Sequence, residues 1–351
     1  MAKKSKKSKA KTTSKGVKGT VEAPAPVTGK APKGKGSGKA QGKASKSTES
    51  KNATPKNATP KNEVAAKAAP AGGTSYTEAL RVGDGVVLAD LDPRSTPAFD
   101  GDKQAGKEAL AAADAELDTL QEQLYAESRA GGRKRVLLVV QGMDTSGKGG
   151  IMRHVVGAVD PQGVELTAFK APTAQEKKHP FLWRIRQALP GPGMIGVFDR
   201  SHYEDVLIVR VHDLVPPGQW RRRYATINAF EEKLAADGVT IIKVMLHISP
   251  QEQKARLAER LERPDKHWKF NPGDLDEREF WPDYQEAYQA LLERCSTEHA
   301  PWFVVPADRK WYARLAVQQL LLEHLRGLDL AWPEADFDVA EQTERLAASE
   351  V

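Results

Sequence analysis

Cysteine occurs once in the 351 residues, as Cys295. A lone thiol excludes an intramolecular disulfide and cannot by itself build a thiolate metal site, so it reads as an idle, buried group. No apolar run approaches the roughly 20 residues that cross a bilayer. No apolar core follows the charged start "MAKKSKKSKAK" either, so neither a membrane span nor a secretory signal is expected, and the setting read from the chain is cytoplasmic. Among the eight histidines no pair has zinc-binding spacing. His202 alone falls near a functional motif. The first 75 residues have no Arg and no Asp, and only three Glu (Glu22, Glu49, Glu63) against 18 Lys, a net charge of +15. The whole chain is +6, so residues 76–351 carry −9.

Charge is thus divided between a basic arm and a mildly acidic body. The arm is rich in Lys, Ser, Gly, Pro and Ala and almost free of large apolar side chains. Its burial cannot offset the entropy of ordering it, so residues 1–75 read as a disordered tail. Its short tandem "KNATPKNATPKNE" is too brief for a repeat fold. The tail is either a solubilising extension or a contact for polyanions such as nucleic acid or polyphosphate.

From about residue 76 the pattern turns globular. Leu110, Leu117, Leu120 and Leu124 recur at helical spacing, which predicts an amphipathic helix over 107–130. Short apolar runs then alternate with helical stretches. Strands are predicted at 135–141, 164–169, 194–199, 240–248 and 302–307. Helices are predicted after the glycine turn near 148 and over 174–189, 219–238, 250–263 and 308–327. Five apolar strands joined by helices make an α/β domain with a doubly wound, five-stranded parallel sheet, whose ligands sit at the carboxyl ends of the strands. This domain is expected over 76–332, with 333–351 as a C-terminal tail.

"GMDTSGKG" matches the first seven positions of the phosphate-loop pattern, and it falls between a predicted strand and a predicted helix. Gly142, Ser146, Gly147, Lys148, Gly149 and Gly150 are the candidate phosphate cradle. The glycines allow backbone N–H groups to curl around an oxyanion, the helix start adds its positive end, and Lys148 adds a full charge. Gly149 replaces the Ser or Thr that ordinarily reaches the metal. Asp144, inside the loop, would repel a phosphate unless a cation lay between them, so it is the first candidate metal group. Asp199 ends the strand 194–199 as a Walker-B carboxylate does and is the second. Arg200 follows it and can reach a transferring phosphoryl group. Arg256, Arg260 and Arg263 fall on one helical face, and "DKHWKFNPGDLDER" reads as a mobile loop, which together suggest a basic lid that excludes water. Trp281, Tyr284 and Tyr288 read as core packing and "RRR" at 221–223 as surface.

In order along the chain, "GMDTSGKGG", "HPFLWRIRQALPGPGMIGVFDRSHYEDVLIVRVH" and "RLERPDKHWKFNPGDLDEREFWPDYQEAY" closely resemble the polyphosphate kinase 2 family. The resemblance spans roughly 76–332 and leaves the Lys-rich tail uncovered. It implies a P-loop kinase fold with a helical lid and Mg²⁺-dependent transfer of a phosphoryl group between inorganic polyphosphate and AMP or ADP. It implies catalytic roles for Asp144, Lys148, Asp199, Arg200, Arg260 and Arg263, with Mg²⁺ on Asp144 and Asp199. Tyr203, Glu204 and Asp205 are similar to the "YED" of members that accept nucleoside monophosphates; members restricted to diphosphates carry Asn where Glu204 stands. A homo-oligomer is expected. The alternatives are an ATP-dependent nucleoside monophosphate kinase, which would share the loop, the Asp-Arg pair and a basic lid, and a non-enzymatic polyanion binder acting through the tail.

Overall fold

The computed structural model describes residues 74–349. Residues 1–73, and with them the expected disordered arm and its polyanion contact, lie outside the described residues. Five strands form one parallel sheet: β1 (Arg135–Gln141), β2 (Val164–Ala168), β3 (Ile195–Asp199), β4 (Val239–His247) and β5 (Trp302–Pro306). Their order is β2-β3-β1-β4-β5, and every pairing is parallel. The helices are α1 (Tyr76–Leu80), α2 (Lys103–Arg129), α3 (Lys148–His154), α4 (Trp183–Gln187), α5 (Ile208–Val211) and α6 (Pro217–Ala236), then α7 (Pro250–Glu262), α8 (Gly273–Asp276), α9 (Trp281–Cys295), α10 (Lys310–Arg326) and α11 (Val339–Ala347). Helices α1, α2 and α3 pack with α10 as one group and α5, α6 and α9 as another, and both groups reach β4. This is the doubly wound α/β arrangement expected from the sequence.

β1, β3, β4 and β5 are nearly continuous buried runs, because helices cover both of their faces. β2 differs. It is the edge strand, half-buried at Val164 and Thr167 and exposed at Glu165, Leu166 and Ala168; an edge has one neighbour and less cover. α2 begins where Asp102 accepts from the N–H groups of Gln104 and Ala105, and it buries Leu117 and Leu124 against the core. Each such side chain contributes about 1.5–3 kcal/mol.

One expectation needs correction, and two further segments take local structure that their readings did not name. The helix predicted over 174–189 breaks into a single 3₁₀ turn (Glu176–Lys178) and the five-residue α4, since Pro180 between them has no N–H and clashes with the preceding turn. The segment expected as a mobile loop folds into consecutive short turns, Pro264–Lys269, α8 and Glu277–Phe280. Residues 333–351, read as a tail, contain α11, started by an Asp338 cap on Glu341 N–H. Among the described residues no helix is long and apolar enough to cross a membrane.

The chain leaves β1 for β2 and β3 on one side, then crosses to β4 and β5 on the other. The loops after β1 and β3 therefore open side by side at the switch point of the sheet, where a doubly wound fold leaves a crevice.

Candidate active site

The loop between β1 and α3 is built on backbone that other residues avoid. Gly142 has φ +151° and Gly147 φ +117°. A Cβ on Gly142 would stand 2.8 Å from the carbonyl of Leu246 and 2.7 Å from Ser146 Oγ, so only glycine fits at this turn. Thr145, with φ +63°, adds a left-handed step. Arg256 braces the loop from outside: Nη1 donates to the carbonyls of Thr145 at 2.8 Å and Ser146 at 2.9 Å. The C=O and N–H of one trans peptide point in opposite directions. Fixing Ser146 C=O against the guanidinium therefore turns Gly147 N–H away from it. The same guanidinium reaches Ala307 O and Asp308 O beyond β5 and pairs with Glu252 at 2.8 Å. Arg256, read as part of a cationic lid row, is thus a buried clamp on the loop.

Lys148 is buried, and its Nζ donates to Gly142 O at 2.7 Å and Met143 O at 3.3 Å. Burial lowers its pKa, while Asp144, Asp199 and Glu204 push it back up. Asp144 Oδ1 accepts from Arg200 Nη2 at 2.9 Å, and Gln253 Nε2 donates to the Asp144 carbonyl at 3.1 Å. Asp199 ends β3 opposite Val140 of β1. Arg200 follows in the left-handed region, φ +63°, with its N–H on Val140 O at 3.1 Å. Arg200 also senses Glu204, Asp144 and Asp199. The structure therefore gathers Asp144, Lys148, Asp199, Arg200 and Glu204 into one charge cluster across the two loops. Gly149 has open space where a Cβ would stand, while Arg314 Nε lies 3.6 Å from that position on Gly150. Arg314 is a cation the sequence reading missed; it lies far along the chain, in α10.

A cavity of about 1150 Å³ opens beside this cluster, walled by Gly142, Asp144, Arg200, Glu204 and Asp205 on one side. Its other walls carry Phe169, Phe181 and Arg184, Arg222 and Arg223 of α6, and Asp274, Tyr284 and Tyr288. Arg223 Nη1 donates to Asp205 Oδ1 at 2.8 Å and lies 5.0 Å over the Phe181 ring. Arg184 lies 5.3 Å over Phe169 and donates to Lys170 O at 2.7 Å. Paired or stacked guanidiniums are held in fixed directions, as anion recognition requires. The triplet at 221–223, read as surface, thus supplies two cavity residues. Tyr288 is buried in the core and Tyr284 packs against it, as read, and both also meet the cavity. Helical phase alone could not show which face meets a cavity.

Other predicted residues lie elsewhere. Tyr203 is wholly buried, its hydroxyl donating to Glu231 at 2.9 Å; it stands behind the cavity, while its neighbours Glu204 and Asp205 line it. His202 is buried with it, 3.1 Å from Glu231. Arg260 is turned to Asp274 Oδ2 at 3.1 Å and to Lys269 O, which places it one contact from the wall. Arg263 is exposed and tied to Asp265 at 2.9 Å and Glu259 at 3.2 Å, outside the cavity wall, because the last turn of α7 points it to solvent.

Among the described residues no three His, Cys, Asp or Glu side chains gather as a metal-sized cluster. Asp144 and Asp199 both act on Lys148 and Arg200 and so stand at the same cluster. Two carboxylates fit a hard divalent cation that takes its remaining oxygens from water and substrate phosphate.

Burial raises the carboxyl pKa of Glu204, against the pull of Arg200 and Lys148. A carboxyl raised on folding costs stability once ionised, and that cost fades as pH falls from the raised value toward the unfolded one. Glu204→Gln is therefore expected to melt above the parent at neutral pH, with the gain shrinking as pH falls toward 4.5, the ordinary value. Melting curves across pH check this; a gain independent of pH would show that Glu204 ionisation is not the source.

The family model for polyphosphate kinase 2 matches residues 100–331. An AMP/ADP-polyphosphate phosphotransferase of Meiothermus ruber is 49% identical over 249 residues, covering 71% of this chain and 92% of the relative. An ADP-polyphosphate phosphotransferase of Rhodopseudomonas palustris is 42% identical over 272 residues, covering 74% and 92%. The crystal structure of polyphosphate kinase 2 from Arthrobacter aurescens superposes with a TM-score of 0.78 at 59% identity, covering 79% of this chain and 98% of that one. A phosphate loop and an Asp-Arg turn facing each other across a switch point are shared by many kinases; likeness of this extent to one group narrows the choice, and the chain belongs to the polyphosphate kinase 2 family of phosphotransferases.

Proposed function

We propose that this protein transfers a phosphoryl group in line from inorganic polyphosphate to AMP and ADP, reversibly in principle, with Mg²⁺ as its metal. The observation that carries the reading is the charge cluster of Asp144, Lys148, Asp199, Arg200 and Glu204, set between a glycine-built phosphate loop and a cavity lined with paired arginines. The Meiothermus relative is named for polyphosphate with AMP and ADP and the Rhodopseudomonas relative for polyphosphate with ADP, which supports polyphosphate as donor and ADP as acceptor from both and AMP from the first.

In this reading the loop backbone and Lys148 hold the donor phosphates. A polyphosphate offers negative charge at every residue and no base to grip, so the bare Gly149 serves by leaving the loop open to close approach. Asp144 and Asp199 would hold Mg²⁺, which when bound neutralises charge on the phosphoryl oxygens. Arg200 stabilises the charge that spreads over the equatorial oxygens as the bond to the donor loosens. Arg260 joins it from the lid. Glu204 and Asp205, with Arg223 behind them, hold the acceptor in the cavity, where Phe169 and Phe181 offer apolar surface to a nucleoside. The catalytic unit spans 76–332. The reading extends to a cytoplasmic setting, where free nucleotides are held, and to a homo-oligomer, which sedimentation measures. It also assigns the Lys-rich residues 1–75 to polyanion contact, measured by the salt dependence of polyphosphate affinity with and without them.

The deciding experiment offers AMP or ADP together with either polyphosphate or ATP and follows the nucleotide products. ADP and ATP are expected to form from polyphosphate, and chelation by EDTA is expected to stop the reaction. Phosphate drawn from ATP and not from polyphosphate would make this an ATP-dependent nucleoside monophosphate kinase.

A further inference from the structure

Behind the cavity, in the core, a closed polar group joins α6, the turn after β3 and α9 to the central strand β4; the outer bonds Arg223–Asp205 and Asn228–Arg294 link these elements only to one another. Lys243, fully buried in the middle of β4, distributes its three ammonium hydrogens to three separate elements. Nζ donates to Glu231 Oε2 of α6 at 2.6 Å, to the Tyr203 hydroxyl in the turn after β3 at 2.8 Å, and to the carbonyl of Cys295, the last residue of α9, at 2.7 Å. Glu231, equally buried, also accepts from the Tyr203 hydroxyl at 2.9 Å and lies 3.1 Å from His202 Nε2. The rings of Tyr203 and Trp302 enclose the ammonium at 5.2 Å and 5.3 Å.

Stability alone does not account for this group. A buried ion pair pays a desolvation cost that its own attraction barely returns, and apolar residues of the same volume commonly do as well or better. What the pair adds is direction. Apolar contacts hold elements together without fixing how they slide, whereas three short hydrogen bonds from one nitrogen fix three elements relative to each other. Those three elements carry much of the cavity wall: Arg200, Glu204 and Asp205 in the turn, Arg222 and Arg223 on α6, and Tyr284 and Tyr288 on α9.

We propose that Lys243, with Glu231 as its partner, is a positioning residue that sets the acceptor cavity by tying three of its walls to the central strand, although neither side chain lines that cavity. The inference rests on the acceptor reading above. A displacement of about 1 Å at a reacting group can cost on the order of 10²-fold in rate, so small slides of these walls register in catalysis before they register in folding.

The test compares the parent with the double variant Lys243→Met/Glu231→Leu, which removes both charges and leaves neither buried alone. The double variant is expected to melt at or above the parent temperature, to bind AMP about 10-fold or more weakly by calorimetry without donor, and to lose kcat, while KM for polyphosphate stays unchanged. A folded double variant with parental AMP affinity and parental kcat overturns the proposal, as does an equal weakening of donor and acceptor. Should the double variant not fold, Tyr203→Phe removes two bonds of the group, one to Lys243 and one to Glu231, and keeps the ion pair; it is expected to weaken AMP binding in the same direction, and unchanged AMP affinity overturns the proposal by itself. Because calorimetry needs no donor, a parent that binds AMP yet takes no phosphate from polyphosphate refutes the function and leaves the positioning role measurable.

Discussion

Lys148→Ala is expected to lower kcat on the order of 10²–10³-fold, as does loss of a single preorganised group that meets developing charge. The ammonium is buried at the base of the loop, held on Gly142 O and Met143 O. Those carbonyls carry only partial charge, so in the proposed reaction a polyphosphate oxygen would be the stronger partner and would draw the ammonium off them. The same nitrogen lies in the field of Asp144, Asp199 and Glu204. Without Lys148 these acidic groups face an incoming polyanion with Arg200 as the remaining cation of the cluster. The loop itself should stay closed, since its shape comes from its positive-φ residues and the Arg256 clamp. The expected pattern is therefore lost turnover with a near-parental melting temperature, measured by steady-state rates beside thermal denaturation. Retention of most activity would remove the loop from the mechanism.

The other large effect is expected at Arg256, through structure first. Its guanidinium satisfies the carbonyls of Thr145, Ser146, Ala307 and Asp308 as well as the Glu252 carboxylate. Arg256→Met fills the space but leaves those acceptors without their partner, which costs about 3–5 kcal/mol when a buried charged partner is removed. The released Ser146 carbonyl can then rotate, and Gly147 N–H rotates with it. A lower denaturation midpoint and a fall in kcat/KM for polyphosphate are expected together, in contrast to Lys148→Ala. A Met variant with parental stability and activity would show that the clamp is dispensable.

How far the sequence reached can be followed residue by residue. "RVLLVVQ" before "GMDTSGKG" announces a buried strand and a phosphate loop through local pattern alone, and the loop forms because its glycines allow positive φ where the turn needs it. "GVFD" before "RS" likewise places an acidic residue at a strand end. Local pattern failed where a side chain's direction depends on distant packing. Arg256 and Arg263 share a helical stripe, yet one clamps the loop while the other sits in solvent with Asp265. Tyr203 lies beside Glu204, but the turn after β3 sends the first into the core and the second to the cavity. Arg222, Arg223, Tyr284 and Tyr288 looked like ordinary surface and core positions because nothing near them in sequence marks a cavity.

By itself, then, the sequence determined the strands, the glycine-built loop and the family, since apolar periodicity, glycine backbone freedom and motif spacing all act over a few residues. The tertiary structure alone decided which arginines meet the cavity, which hold the loop, and that one buried lysine joins three walls. Those assignments depend on helices and strands brought together from positions 12 or more residues apart, and contacts of that range follow from how the layers pack.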